Sequence, residues 1–232
     1  MKLFDQSRVL ATLFVASLGL SAAAHADSVE RYVSFDVHNP AAFVTALDEF
    51  RGSGIMDGTE ASLWAATFDG SNPTSHVLAI SYDDYAELQR VDDRVRPSRE
   101  WVDYLNAIRD TNDLMALGMG IERYARGSGW HNHGAAMVFN MTVRDPRTYA
   151  PAFAELVESM DNPGSSRLIE IRAGGEGATH LAIITAPDFV TLNTFMDELL
   201  GSEAYADFVE EVGDIRTINT TSIYRRVKTW GE

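Results

Sequence analysis

The feature that most constrains this chain is an internal repeat. The stretch YVSFDVHNPAAFVTALDEF from Tyr32 and the stretch VFNMTVRDPRTYAPAFAEL from Val138 follow one pattern. Each passes from strand-like alternation through Asn or Asp and Pro into apolar residues at helical spacing. Pro40 and Pro146 stand 106 positions apart. Further on the separation settles at 104, pairing Ser62 with Ser166, Gly70 with Gly174, His76 with His180, Asp84 with Asp188 and Leu88 with Leu192. So many matches in one register point to a duplicated unit, which must fold one motif twice.

Each copy reads strand, helix, strand, strand, helix, strand. In the first copy, 31–37 alternates with period two. Asn39-Pro40 offers an N-cap followed by a proline at the first helical position. Phe43, Leu47 and Phe50 then recur at helical spacing. Strands are predicted over 62–68, 76–82 and 117–124. The helical stretch before the last of these is broken at Pro97, where Ser98 can start a new cap. The second copy predicts strands over 135–143, 168–172, 180–185 and 217–227. Its helices start at Asp145-Pro146 and Asp188, with a break at Gly201-Ser202.

Before the repeats, Lys2 and Arg8 lead into an apolar run from Val9 to Ala24, and Ala24-His25-Ala26 fits a small-x-small cleavage site. Residues 1–26 therefore read as a secretory signal, and the mature protein is expected to be periplasmic or secreted, with no membrane attachment after cleavage. The first repeat then spans 27–126, a glycine-rich linker 127–134, and the second repeat 135–232. The absence of cysteine excludes disulfides, thiolate metal sites and a cysteine nucleophile. A net charge of −15 argues against nucleic acid as a partner.

The order β-α-β-β-α-β is that of the ferredoxin-like unit, whose helices cover one sheet face. The other face needs cover, which two units supply by packing sheet to sheet. On this element order, the duplication and the helix starts at Asn39-Pro40 and Asp145-Pro146, residues 30–228 resemble the dimeric α+β-barrel superfamily. The antibiotic-biosynthesis-monooxygenase-like proteins are the nearest type, here as a fused tandem copy. The fold expected is α+β, two tandem ferredoxin-like units forming a pseudo-symmetric barrel. The resemblance implies a small-molecule pocket and, as one reading, a monooxygenase-like oxidoreductase that acts on a small aromatic or enolic compound without an organic cofactor. A binding protein for a small apolar ligand or haem, and a structural or interaction protein, are the alternatives. The outer faces could also pair two copies into a homodimer.

Strand parity sorts candidate residues. Val33, Phe35 and Val37 form an apolar set that should face the helices, which leaves Tyr32, Ser34 and Asp36 for the interior. Trp64, Ala66 and Phe68, matched at a separation of 104 with Leu168, Glu170 and Arg172, are also placed inward. Ser34, Asp36, Trp64, Phe68, Glu170 and Arg172 are thus the expected ligand contacts. His76 and His180, at the start of the third strand of each copy, are the candidate general bases, as the superfamily's oxygenases imply, or else strand-edge residues. Asn140 is the candidate orienter. His131-Asn132-His133 has too few ligands for a closed metal site. Gly54-Ile55-Met56-Asp57-Gly58 matches the short GxxDG pattern of haem-binding dye-decolourising peroxidases, but no proximal haem histidine goes with it and the run reads as a glycine-rich helix-to-strand turn.

Overall fold

The computed structural model describes residues 28–175 and 177–231, so the predicted signal at 1–26 lies outside the described residues. The first half runs β1 (Val29–Val37), α1 (Pro40–Gly52), β2 (Glu60–Phe68), β3 (His76–Tyr82), α2 (Tyr85–Val95), α3 (Arg99–Ile108) and β4 (Asn112–Arg126). The second runs β5 (Ala135–Val143), α4 (Pro146–Ser159), β6 (Ser165–Ala173), β7 (His180–Ala186), α5 (Phe189–Leu200), α6 (Glu203–Val212) and β8 (Arg216–Trp230). None of the described helices is long and apolar enough to cross a membrane.

Local sequence sets the helix starts. The side chain of Asn39 accepts from the Ala42 amide, and Asp145 accepts from those of Arg147 and Thr148, with proline next in both cases. Asp84 and Asp188 cap α2 and α5, and Ser98 and Ser202 cap α3 and α6.

The strands close into one antiparallel barrel in the order β1-β3-β2-β8-β5-β7-β6-β4. Closure depends on the length of β4 and β8. Each pairs with the first strand of its own half along one edge, and its C-terminal part pairs with the second strand of the other half. Every strand edge in the two joining regions is thereby hydrogen-bonded. The alternation then buries two outer cores and an inner one. Phe35, Phe43, Leu47, Leu63 and Ile80 pack between the first half's strands and helices. Met141, Tyr149, Phe153, Leu168 and Ile184 do the same in the second. Trp64, Ala79 and Ala136, with Tyr32, Trp130 and Tyr224 against them, fill part of the barrel interior.

One register differs from the sequence alignment. Ala79 and Ile183, 104 residues apart, are opposite Ser62 and Arg167, which are 105 apart. The second strand of the second half is therefore offset by one residue from the alignment that paired Ser62 with Ser166. Such a slip exchanges the two faces of a strand.

Candidate functional site

The barrel interior holds a cavity of about 300 Å³. Its lining alternates along the strands as the pleat requires: Tyr32 and Ser34 from β1, Val77 and Ala79 from β3, Ala136, Val138 and Asn140 from β5, Leu181, Ile183 and Thr185 from β7. The exposed lining residues Asn72, Pro73, Met115, Gly174 and Thr220 form a rim at the end where the β2–β3 and β6–β7 loops lie. Gly118 opens the β4 wall: a Cβ there would have only ordinary contacts, with Ala173 O at 3.7 Å and Tyr32 Cβ at 4.0 Å.

The opposite end is closed by the linker. Trp130 sits in a short 3-10 turn, Trp130–Asn132, and its ring lies 6.5 Å from that of Trp64 at an interplanar angle of 15°. The Arg167 guanidinium lies 4.4 Å from the Trp130 ring centroid. Ser62 and Thr229 hydroxyls both donate to His131 O, and His133 Nδ1 is 2.7 Å from Thr185 Oγ1. His131 Nδ1 lies 3.1 Å from Glu60 Oε2. The two linker histidines thus serve as anchors, and no cluster of potential metal ligands exists among the described residues.

Beneath Trp130 is a buried charge group. Arg167, 3% exposed, donates from Nη2 to Glu30 Oε1 and from Nε to Glu122 Oε2, each at 2.5 Å. Glu30 also accepts from Ser81 Oγ at 2.8 Å. Burial pushes the Glu30 carboxyl above its usual range, with Arg167 opposing. Burial disfavours the Arg167 charge too, but the two carboxylates more than offset it and its pKa rises. Tyr32 OH, Asn140 Oδ1 and Arg167 Nη1, all on lining residues, are buried without hydrogen-bond partners. Burial raises the Tyr32 phenol well above its ordinary value, so it is neutral. On the far wall Tyr224 OH donates to Asp69 Oδ2 at 3.5 Å and the Ser222 hydroxyl donates to Asp69 Oδ1. Burial pushes Tyr224 up to about 12.

Of the expected contacts, Ser34, Trp64 and Asn140 line the cavity. The others do not. His76 and His180 face the helices, because Val77 and Leu181 take the inward parity. The ring of His76 is 6.4 Å from that of Phe43, and the ring of His180 is 6.4 Å from that of Tyr149. Their Nδ1 atoms meet Ser75 Oγ at 3.0 Å and Thr179 Oγ1 at 2.9 Å. Burial lowers both pKa values.

Asp36 lies past the cavity, acting on His76 through its charge. A bulge between Ala66 and Phe68 turns Phe68 outward, where it is 59% exposed and 6.1 Å from Phe189. Glu170 and Arg172 fall on the helix side, since Arg167 and Ile171 line the interior while Leu168 joins the outer core. There Glu170 takes Arg123 Nε at 2.7 Å and Arg172 Nη1 at 3.1 Å.

Arg167, Glu30, Trp130 and Tyr224 were not foreseen as site residues. The offset of 105 hid Arg167, and nothing in a glycine-rich linker marks Trp130 as a plug. The run Gly54–Gly58 is a turn, with Gly54 and Gly58 at φ 80° and 89° and Asp57 O accepting from Arg94. No histidine among the described residues lines the cavity, so they offer haem no imidazole ligand there.

No protein-family model matches the sequence, and no curated protein does. Solved structures match over nearly the whole length. A candidate monooxygenase of Fusobacterium nucleatum aligns with TM-score 0.61 at 12% identity, covering 90% of this chain and 96% of its own. An anthrone oxidase-like protein aligns with TM-score 0.58 at 12% identity, covering 90% and 94%. A chlorite dismutase variant of Candidatus Nitrospira defluvii, in complex with cyanide, aligns with TM-score 0.52 at 8% identity, covering 87% and 91%. The chain has the fold of these ferredoxin-like α+β barrels, with both units on one polypeptide.

Proposed function

We propose that this protein binds a small aromatic or enolic compound inside its barrel. The observation that carries the reading is the cavity itself: about 300 Å³, walled by Trp64, Trp130, Tyr32 and aliphatic side chains, with a few fixed polar groups. Aromatic walls suit a flat apolar ring, and Ser34 and Asn140 can orient a ligand oxygen. We place the mature protein outside the cytoplasm, which N-terminal sequencing of secreted chain would support by finding Asp27 first.

A thermal-shift series with 1-naphthol, 1-acetonaphthone and haem tests the binding. A naphthalene compound should raise the Tm in proportion to occupancy. Gly118→Leu, which puts a side chain into the cavity from an open position, should abolish that rise while keeping the free protein's Tm close to that of the wild type. No shift with any compound would overturn the reading.

Oxygenation is the second reading, favoured by the barrel shared with the candidate monooxygenase and the anthrone oxidase-like protein. In that reaction an enolisable ring CH₂ and O₂ give a ketone and water. Among the described residues no imidazole lines the cavity, so Tyr32 and Asn140 would hold the enol oxygen and the ring would have to enolise without a histidine base. Oxygen uptake with anthrone, lost in Asn140→Ala, is the expected result. Uptake that persists in Gly118→Leu would place any turnover elsewhere.

A further inference from the structure

Among the described residues the cavity has one charged lining residue, Arg167, and its charge is already taken up. Two of its three nitrogens are held by Glu30 and Glu122. With both carboxylates ionised the group carries −1, and with Glu30 protonated it carries zero. In neither state does the floor offer net positive charge. Across the cavity, Asp69 adds a carboxylate behind Ser222 and Tyr224. Two further donors on lining residues, Tyr32 OH and Arg167 Nη1, are buried without hydrogen-bond partners.

Resting on the binding reading above, we propose that Glu30 and Glu122 are specificity-determining residues that make the cavity select uncharged carbonyl compounds over carboxylates. A carboxylate entering the barrel would lose its hydration beside a site with no net cation to replace it. A ketone oxygen of the same shape needs only a hydrogen bond. The arrangement excludes anions by cancelling the Arg167 cation, a repulsive element that acts without touching the ligand.

The test is calorimetric titration of the chain with 1-acetonaphthone and 1-naphthoate, which share a shape and differ by a charge. The ketone should bind at least about tenfold more tightly, as expected where like charges are brought together in a desolvated site. Glu122→Gln keeps the shape and removes one charge, so the ratio of the two affinities should narrow severalfold. Glu30→Gln should narrow it too, and it serves as the variant if Glu122→Gln does not fold. Equal affinities in the wild type, or tighter naphthoate, would overturn the proposal and leave the pocket intact. A ratio unmoved by the folded variants would also overturn it. Binding of neither compound would instead show that the pocket reading fails, and this inference with it.

Discussion

Strands β2 and β6 occupy equivalent places in the two halves, and they give the barrel different things. From β2 come Ser62 and Trp64, a small hydroxyl and a large ring. From β6 come Arg167 and Ile171, a buried cation and a branched aliphatic. Their outward residues stay alike: Leu63 and Leu168 are both fully buried against their own helices. The outer faces fill two similar cores and tolerate little change in shape. The inner faces meet across one shared space, where only the sum of the two halves has to fit. Two units of one fold can therefore share their outer packing and differ on the face that lines the interior.

The sharpest way to break that comparison is to remove the inner residue of each strand. Arg167→Leu leaves the buried Glu30 and the partly exposed Glu122 without their cation and should cost about 3–5 kcal/mol in urea unfolding. Ser62→Ala, at the equivalent place, removes one hydrogen bond to the linker and should cost about 1 kcal/mol. Equal losses would mean that the charge group does not hold the floor together. The outward pair should behave alike: Leu63→Ala and Leu168→Ala each leave a cavity under a helix and should each lose about 2–5 kcal/mol. A large loss at Leu63 with almost none at Leu168 would return the second half to the offset of 104.

His76 and His180 sharpen the comparison through pH. Burial lowers both pKa values in the folded chain below the ordinary 6.5. The unfolded chain then takes up protons first as pH falls, so stability is complete above about 6.5 and declines below it. His180→Gln should flatten that decline in denaturation midpoints measured from pH 7.5 to 5, and should leave 1-acetonaphthone affinity unchanged. A variant that lost the ligand would draw His180 back toward the cavity. The smallest effect belongs to a cap: Asn39→Ala should cost about 1 kcal/mol without altering ligand affinity. A change in affinity there would couple the outer helices to the interior.

The sequence, read alone, reached the element order, because alternation, helical spacing and Asn/Asp-Pro starts are local signals and all of them recur. It also placed Tyr32, Ser34 and Asn140 inward, since β1 and β5 alternate cleanly between apolar and polar residues. It failed where parity rested on the alignment of the two halves. Ser-Arg-Leu-Ile-Glu-Ile-Arg over 166–172 alternates equally well in either phase, and one residue of length between the halves decided for Arg167 and against Glu170 and Arg172. The same limit applied to the histidines. Their equivalence was legible and their direction was not, because a strand-edge His has no neighbour in sequence that fixes its face. Bulges at Phe68 and beside Met115 are set by how long β4 and β8 must curve to close the barrel. The sequence by itself thus determined what the elements are and where they start. The tertiary structure alone decided which residues share the interior, because a strand's inward face depends on the register of its partners, and β2, β4, β6 and β8 each take one of their two partners from the other half.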